Sequence, residues 1–326
     1  MKNKAIVIRR HGGPEVLELA EIDIPAPSPG EVQIRQAAIA LNFVDTYYRT
    51  GLYKPAGGLP FVAGSEAAGT VIAVGEGVAG VREGDRVAYP SSNGAYCELR
   101  NIAATSLVHL PDDISFETAA AGLMKGMTVE FLLNRTYGVG PDTVLLWHAA
   151  AGGVGLIAGQ WAKALGATVI GTASSAEKVK LALAHGYDRV INYSEEDFVA
   201  RVKDITDGRG VDVVYDSVGK DTFPKSLDCL KPRGLWVTFG NASGPVEPLP
   251  PSLLAQKGSL YMTRPTLGNY IATPQELKEC AEALFAIVRG NKVVINVNQS
   301  YPLEDAARAH SDLEARRTSG TTLLIP

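Results

Sequence analysis

Residues 144–159 read VLLWHAAAGGVGLIAG: an apolar run of strand type, a turn of small residues, and at once the start of a helical pattern. Val154, Ile157, Ala158, Trp161, Ala162 and Leu165 recur on one helical face. Strand, glycine turn and helix start in this order form a seat for the pyrophosphate of a dinucleotide. Glycines let the backbone approach the phosphates, and the free N–H groups and positive dipole end of the helix face their charge. The spacing G-x-G-x-x-G occurs with Ala150 in the first place and Gly152 and Gly155 in the others, with Gly153 and Val154 between them. A glycine-rich turn alone is weak evidence, because the same turn also serves a helix that merely packs on its strand. The flanking sequence decides.

Working outward, strand-like runs lie at 168–172 (TVIGT), 189–192 (RVIN), 211–216 (VDVVYD), 235–239 (LWVTF) and 259–262 (SLYM), with a helical stretch at 176–185 closed by Gly186. Strands alternating with helices predict a doubly wound α/β domain with a parallel sheet, whose ligands sit at the carboxyl ends of the strands. The end of the second strand selects the cofactor. An NAD site places Asp or Glu about 20 residues past the glycine turn, to hold the ribose 2′-hydroxyl. Here residues 172–178 read TASSAEK. No acid stands at the strand tip, and hydroxyl residues with Lys178 suit a 2′-phosphate. Glu177 is the counter-signal, although it falls inside the next helix, and Lys178 also reads as a solvated helix lysine. NADPH is favoured over NADH.

The chain has 326 residues, 46% of them hydrophobic, which suits two packed domains. A net charge of −4 with both signs interspersed argues against a nucleic-acid surface. Arg9 and Arg10 interrupt any signal-peptide apolar region, and no run approaches the roughly 18 apolar residues of a membrane span. Cys97, Cys229 and Cys280 are scattered and odd in number, fitting neither a disulfide framework nor a zinc spacing. A cytoplasmic setting is expected.

Up to about residue 120, short β-like runs such as 32–35 and 70–74 are separated by turns at 25–30, 57–60, 75–77 and 83–86. This predicts a β-rich, barrel-like domain with Gly and Pro at its corners. A helix over 115–133 leads into the nucleotide-binding part. In the tail, a helix over 274–288 precedes strands at 293–296 and 321–325. These strands do not extend the parallel sheet, so the tail is assigned to the first domain.

The segments HGGPEV (11–16), NFVDT (42–46), GSEAAGTVIAVG (64–75), GDRV (84–87) and the AAGGVG turn occur in the order found in medium-chain dehydrogenases/reductases. Over the whole length the chain resembles their zinc-independent bacterial NADPH:quinone oxidoreductase branch, relatives of zeta-crystallin. DSVG (216–219), FGNASG (239–244) and GSLYMTRP (258–265) carry the narrower likeness. The resemblance implies a GroES-like catalytic domain of residues 1–123 and 265–326, a Rossmann NADPH-binding domain of residues 124–264, an active site in the cleft between them, and a homodimer. Zinc relatives carry Cys where Asn42 stands and His where Ser65 stands, and residues 119–135 hold no Cys, His or Asp for a third ligand. Neutral oxygens are poor zinc ligands, so no metal is expected.

Without a Lewis acid the substrate must be easy to reduce. A quinone fits, since its ring becomes aromatic on reduction and the protein chiefly positions the reactants. By resemblance, Asn42 lies beside the nicotinamide, and Tyr47 and Tyr53 line the substrate pocket. From sequence alone those tyrosines read equally as packing residues. The resemblance further implies Thr128 near the nicotinamide end and Gly152, Gly153, Val154 and Gly155 at the pyrophosphate. It places Ser174, Lys178, Tyr193 and Arg316 around the 2′-phosphate and Phe239, Gly240, Thr263 and Arg264 toward the nicotinamide ribose, with Ser217 as a further cofactor-binding residue. His148, ending the first strand, reads as a structural hydrogen-bonding histidine. Two alternatives stay open: an NADPH-dependent enone or alkenal double-bond reductase, and a non-catalytic NADPH-binding protein.

Overall fold

The computed structural model describes residues 1–90 and 93–326. The chain divides into two compact units. The first comprises Met1–Lys125, Thr273–Ala281 and Ile295–Pro326, and the second comprises Gly126–Ala272 and Glu282–Val294.

The first unit opens with β1 (Lys2–Ile8), β2 (Glu18–Asp23), β3 (Glu31–Leu41), helix α1 (Phe43–Thr50), β4 (Phe61–Val62), β5 (Glu66–Val74), β6 (Arg86–Pro90), β7 (Leu99–Ala103) and β8 (Val108–His109). The glycine and proline clusters of the sequence fall in the turns between them. β2, β1 and β4 form one antiparallel sheet, while β3 pairs antiparallel with both β5 and β7. Gly69 shows why small residues recur in β5. A Cβ there would meet the backbone of Arg35 and Gln36 on β3.

Helix α2 (Phe116–Glu130) carries the boundary after Lys125 and ends in a π-type turn, Phe131–Thr136. The second unit then follows the expected alternation: β9 (Val144–Trp147), α3 (Gly153–Ala164), β10 (Thr168–Ala173), α4 (Ala176–Leu183), β11 (Arg189–Asn192), α5 (Phe198–Ile205), β12 (Val211–Asp216), α6 (Lys225–Asp228), β13 (Leu230–Thr238), α7 (Pro251–Gln256) and β14 (Tyr261–Thr263). The strands form one parallel sheet in the order β11-β10-β9-β12-β13-β14. The order reverses between β9 and β12, so the carboxyl ends of those strands are the expected binding edge. Ile157, Ala158, Trp161 and Ala162 of α3 are buried, as the helical periodicity requires.

The chain ends with α8 (Pro274–Arg289), β15 (Val297–Pro302), α9 (Ala306–Glu314) and β16 (Thr321–Ile325). The larger sheet of the first unit runs β15-β16-β3-β5-β6-β8, with β16 antiparallel to β3. Strands β15 and β16 lie in the first unit, but the expected bounds shift: residues 265–272 and 282–294 of the tail fall in the second unit, and Lys125 rather than residue 123 ends the first stretch. The strand expected at 293–296 is displaced, however, to β15. The Gln160 side chain bonds both Val294 N (2.9 Å) and Val294 O (3.1 Å), so the backbone of that residue is satisfied without a ladder.

Candidate functional site

At the glycine turn, Gly152 is the N-cap of α3 and no side chain caps that helix. Its first N–H groups thus remain available to an anion. Gly155 is required for packing: a Cβ there would lie 2.5 Å from the Ala149 carbonyl oxygen and 2.6 Å from that of Ala150. Gly152, Gly153 and Val154 are half-buried, open to a ligand on one side. Ala149, which starts the turn, sits in the left-handed region at φ 57°.

Ser174 and Tyr193 follow the adjacent strand ends of β10 and β11. Tyr193 N donates to Ala173 O at 3.0 Å, and Ser194 Oγ donates to Ser174 O at 2.9 Å. Ser175 caps α4 by accepting from Lys178 N. Ser174, Lys178 and Tyr193 thus share one corner of the second unit, whereas Arg316 belongs to the first unit. The other nucleotide candidates gather along the same edge. Phe239 N donates to Asp216 O, Ala242 N donates to Ser217 O, and Arg264 Nη1 donates to Gly240 O at 3.4 Å. With its amide turned to satisfy both neighbours, Asn241 accepts from Arg264 Nη2 at 3.1 Å. Ser217, Phe239, Gly240 and Arg264 are thereby held together where β12 and β13 end, and Thr263 closes β14. Thr128 is half-buried in the last turn of α2.

His148 is buried between Thr172 Oγ1 and Ser226 Oγ, each 3.0 Å from a ring nitrogen. Ser226 Oγ in turn donates to Asp216 Oδ2 at 3.0 Å. Serine, histidine and aspartate are all present, but the serine stands between the other two and all three are enclosed. Asp216 also accepts from Val218 N, Gly219 N, Thr222 Oγ1 and Trp236 Nε1. This is a structural tie holding the strand ends, and His148 has the structural role its sequence position suggested.

The densest chemistry of the first unit surrounds Asn42 and Ser65. Asn42 is the N-cap residue of α1, and Asp45 reaches back to accept from its backbone N–H at 2.8 Å. Ser65 Oγ donates to Asp45 Oδ1 at 2.5 Å, and Tyr96 Oη donates to Asp45 Oδ2 at 3.0 Å. Asn42 Nδ2 donates to Glu66 Oε2 at 2.9 Å, and the Met124 backbone N–H donates to Glu66 Oε1. Lys125 Nζ lies 3.7 Å from Glu66 Oε2. Asp45, Ser65, Glu66 and Lys125 are all buried. Burial lifts Asp45 to a pKa of about 6 despite its hydrogen bonds, raises that of Glu66, and pushes that of Lys125 down.

A second arm fixes this cluster from behind. Arg49, 1% exposed, donates to Gly12 O, to Glu314 Oε1 and, at 3.1 Å, to His310 Nδ1. A guanidinium only donates, so His310 Nδ1 is the acceptor and its Nε2–H faces Tyr96 Oη, 3.1 Å away. The hydrogen bonds therefore run from His310 through Tyr96 into Asp45. The chain ends on a guanidinium that does not release its proton, so it orients Asp45 and conducts no proton from outside.

Tyr47 and Tyr53 meet edge to face with ring centroids 5.2 Å apart, and Tyr48 packs on Tyr53 at 5.8 Å. The two tyrosines singled out in the sequence are thus one cluster, with Tyr48 as an unforeseen third member. Asp45, Glu66 and Lys125 were passed over as well. Signals existed for two of them: Asp45 stands at capping-box spacing from Asn42, and Glu66 is the one charged residue of β5, at its start.

Residues 28–137 match the alcohol dehydrogenase GroES-like domain family, and residues 153–286 match the zinc-binding dehydrogenase family. The donors at the zinc positions do not suit that ion, since Asn42 and Ser65 offer neutral oxygens and Lys125 brings a competing cation. Among the described residues no group of His, Cys, Asp and Glu could hold a metal. The chain is 54% identical over 324 residues to a quinone oxidoreductase of Pseudomonas aeruginosa, covering 99% of each. It is 44% identical over 329 residues to a 2-haloacrylate reductase of a Burkholderia species, covering 99% of this chain and 98% of that protein. The crystal structure of Escherichia coli quinone oxidoreductase complexed with NADPH superposes with a TM-score of 0.97 at 52% identity, covering 99% of this chain and all of that one. Metal positions taken by Asn42 and Ser65, a nucleotide edge on a parallel sheet and these full-length likenesses agree: the chain belongs to the zinc-independent medium-chain dehydrogenases/reductases, in their quinone oxidoreductase branch.

Proposed function

We propose that this chain oxidises NADPH and passes the reducing equivalents to a quinone, without a metal. The observation that carries the reading is the occupancy of the metal positions. Asn42 and Ser65, standing where the resemblance puts the ligands of zinc relatives, offer neutral groups already hydrogen-bonded to buried carboxylates, and such a site suits an acceptor that is intrinsically easy to reduce. The likeness to quinone oxidoreductases supports this acceptor, and the likeness to an NADPH complex supports the cofactor.

NADPH supplies the reducing equivalents, and the residues bind and orient. Gly152, Gly153, Val154 and Gly155 hold the pyrophosphate by backbone N–H groups. Within the second unit, Ser174, Lys178 and Tyr193 would receive the 2′-phosphate. Ser217, Phe239, Gly240, Thr263 and Arg264 would hold the nicotinamide ribose, with Thr128 of the same unit toward the ring. Tyr47 and Tyr53 offer an aromatic wall to a flat acceptor.

The test is loss of NADPH absorbance with benzoquinone, naphthoquinone, an enone and 2-chloroacrylate, repeated with NADH. Fast oxidation by quinones with NADPH preferred is the expected outcome. The 44% identity to a 2-haloacrylate reductase favours one second reading, double-bond reduction, and turnover confined to the enone or haloacrylate would establish it in place of the first. Binding without turnover would leave a nucleotide-binding protein.

The enzyme acts as a homodimer in a reducing, cytoplasmic setting. Strand β14 is an edge of the parallel sheet with Tyr261 62% and Met262 43% exposed, an apolar edge of the kind that pairs with a second copy. A sedimenting mass near 34.5 kDa, that of a single chain, would rule the dimer out. The three cysteines are free and buried, and no helix among the described residues is long and apolar enough to cross a membrane.

A further inference from the structure

Asp216 ends β12 fully buried, at the carboxyl edge where the nucleotide candidates gather. We propose that Asp216 is a positioning residue for the cofactor. Its carboxylate sets the two loops that carry Ser217, Phe239 and Gly240, and through Ser226 and His148 it keeps them in register with the glycine turn. The inference deepens the proposed function and rests on the reading that those loops hold the nicotinamide ribose. Every residue it uses lies in the second unit.

Three observations carry it. The carboxylate shapes the loop after its own strand: Oδ1 accepts from Val218 N at 2.9 Å and from Gly219 N at 3.1 Å, the residues that follow Ser217. That loop is in turn laced to the one after β13, since Ala242 N donates to Ser217 O, Ser243 N to Val218 O and Lys220 N to Gly244 O. The two backbones approach so closely that a Cβ on Gly240 would collide with Ser217 O, and one on Gly219 would lie 2.5 Å from Gly244 O. Finally, the hydrogens of a buried chain all point to the same carboxylate. Ser226 Oγ has a single proton, and Asp216 Oδ2 at 3.0 Å is a stronger acceptor for it than the neutral Thr222 O at 3.1 Å. Ser226 Oγ then accepts from His148 Nε2–H, and His148 Nδ1 accepts from Thr172 Oγ1. Burial lowers the His148 pKa and so keeps the ring in the neutral form that this chain requires. His148 stands immediately before Ala149, whose left-handed backbone opens the glycine turn, and Ala150 N in that turn donates to Thr172 O. One carboxylate thus ties the loops on one side of the cofactor seat to the turn on the other.

The experiment compares two ligands by calorimetry on the full-length chain: NADPH, and 2′,5′-ADP, which keeps the adenosine and its 2′-phosphate but has no nicotinamide half. Asp216→Asn supplies one acceptor where two are needed, so its NH₂ must face donors, either Val218 and Gly219 or Ser226 and Trp236. NADPH is expected to bind roughly tenfold more weakly, the effect of one lost hydrogen bond to a charged group. Binding of 2′,5′-ADP should match that of the parent chain. If Asp216→Asn fails to fold, Ser226→Ala supplies the same comparison, because it leaves the carboxylate in place and cuts its link to His148. Gly240→Ala, which forces the two loops apart, tests the reading of the loops directly.

Equal weakening of both ligands by Asp216→Asn would overturn the inference and leave the carboxylate a purely structural role. So would parent-like NADPH affinity in a folded Asp216→Asn chain while Gly240→Ala loses NADPH alone, an outcome that keeps the reading of the loops intact. If Gly240→Ala changes neither affinity, the loops do not hold the cofactor, and that reading and the inference fall together.

Discussion

Lys178 stands at the start of α4, its backbone N–H donating to Ser175 Oγ at 3.3 Å and its neighbours Ser174 and Tyr193 at the ends of β10 and β11. The charge that would meet a 2′-phosphate is therefore attached to an anchored backbone. We expect Lys178→Ala to weaken NADPH by about 1–3 kcal/mol, the range for a charged hydrogen bond, and to leave NADH almost unchanged. Parallel fluorescence titrations with the two cofactors would check this, and equal losses would remove Lys178 from the site. The acid-free strand tip was legible in the sequence because that position depends on local chain order alone. The carboxylate that holds the Asn42 side chain was not legible, since Glu66 reaches it from β5.

Among elements, the β9–α3 junction is the one whose sequence left least freedom. Gly155 lets the helix settle onto the turn, and Gly155→Ala would drive a methyl group to 2.5 Å from the Ala149 carbonyl oxygen. Overpacking of this kind costs about 1–3 kcal/mol, so the urea unfolding midpoint should fall even without cofactor. An unchanged midpoint would mean the helix can shift outward without loss. Elsewhere an element moved. The β-branched run at 293–296 was expected as a strand, but a glutamine on α3 takes both backbone groups of Val294 and the ladder begins at Val297 instead. No local pattern in that run records the position of Gln160, far away in the chain.

For the whole molecule, the buried arm from Arg49 to Asp45 sets a pH dependence of stability. Burial and, secondarily, the charge of Arg49 hold the His310 pKa down at about 3, below its ordinary 6.5. Between those values the unfolded chain binds a proton that the folded chain refuses, so this contribution to stability is complete above pH 6.5 and is lost as pH falls toward 3. Asp45, raised by burial from 3.8 to about 6, acts in the opposite sense: its contribution is complete below pH 3.8 and is lost as pH rises toward 6. His310→Gln keeps an acceptor for Arg49 and a donor for Tyr96 without titrating. It should lose the acid-side decline, which is about 1.4 kcal/mol per pH unit at its steepest. Unfolding midpoints from pH 7 to pH 4 that run parallel to those of the parent chain would refute the assignment.

The sequence by itself determined the parallel sheet, the nucleotide edge and the absence of metal ligands at positions 42 and 65. Each of these follows from periodicity, a turn that tolerates only small residues, or the identity of one side chain at one place. Only the tertiary structure decided what holds Asn42 and Ser65. Their carboxylates, the lone ammonium of Lys125 and the Arg49–His310–Tyr96 arm come from strands and helices far apart in the chain. Burial gives those groups their altered acidity, and burial is a property of the packed fold rather than of any segment.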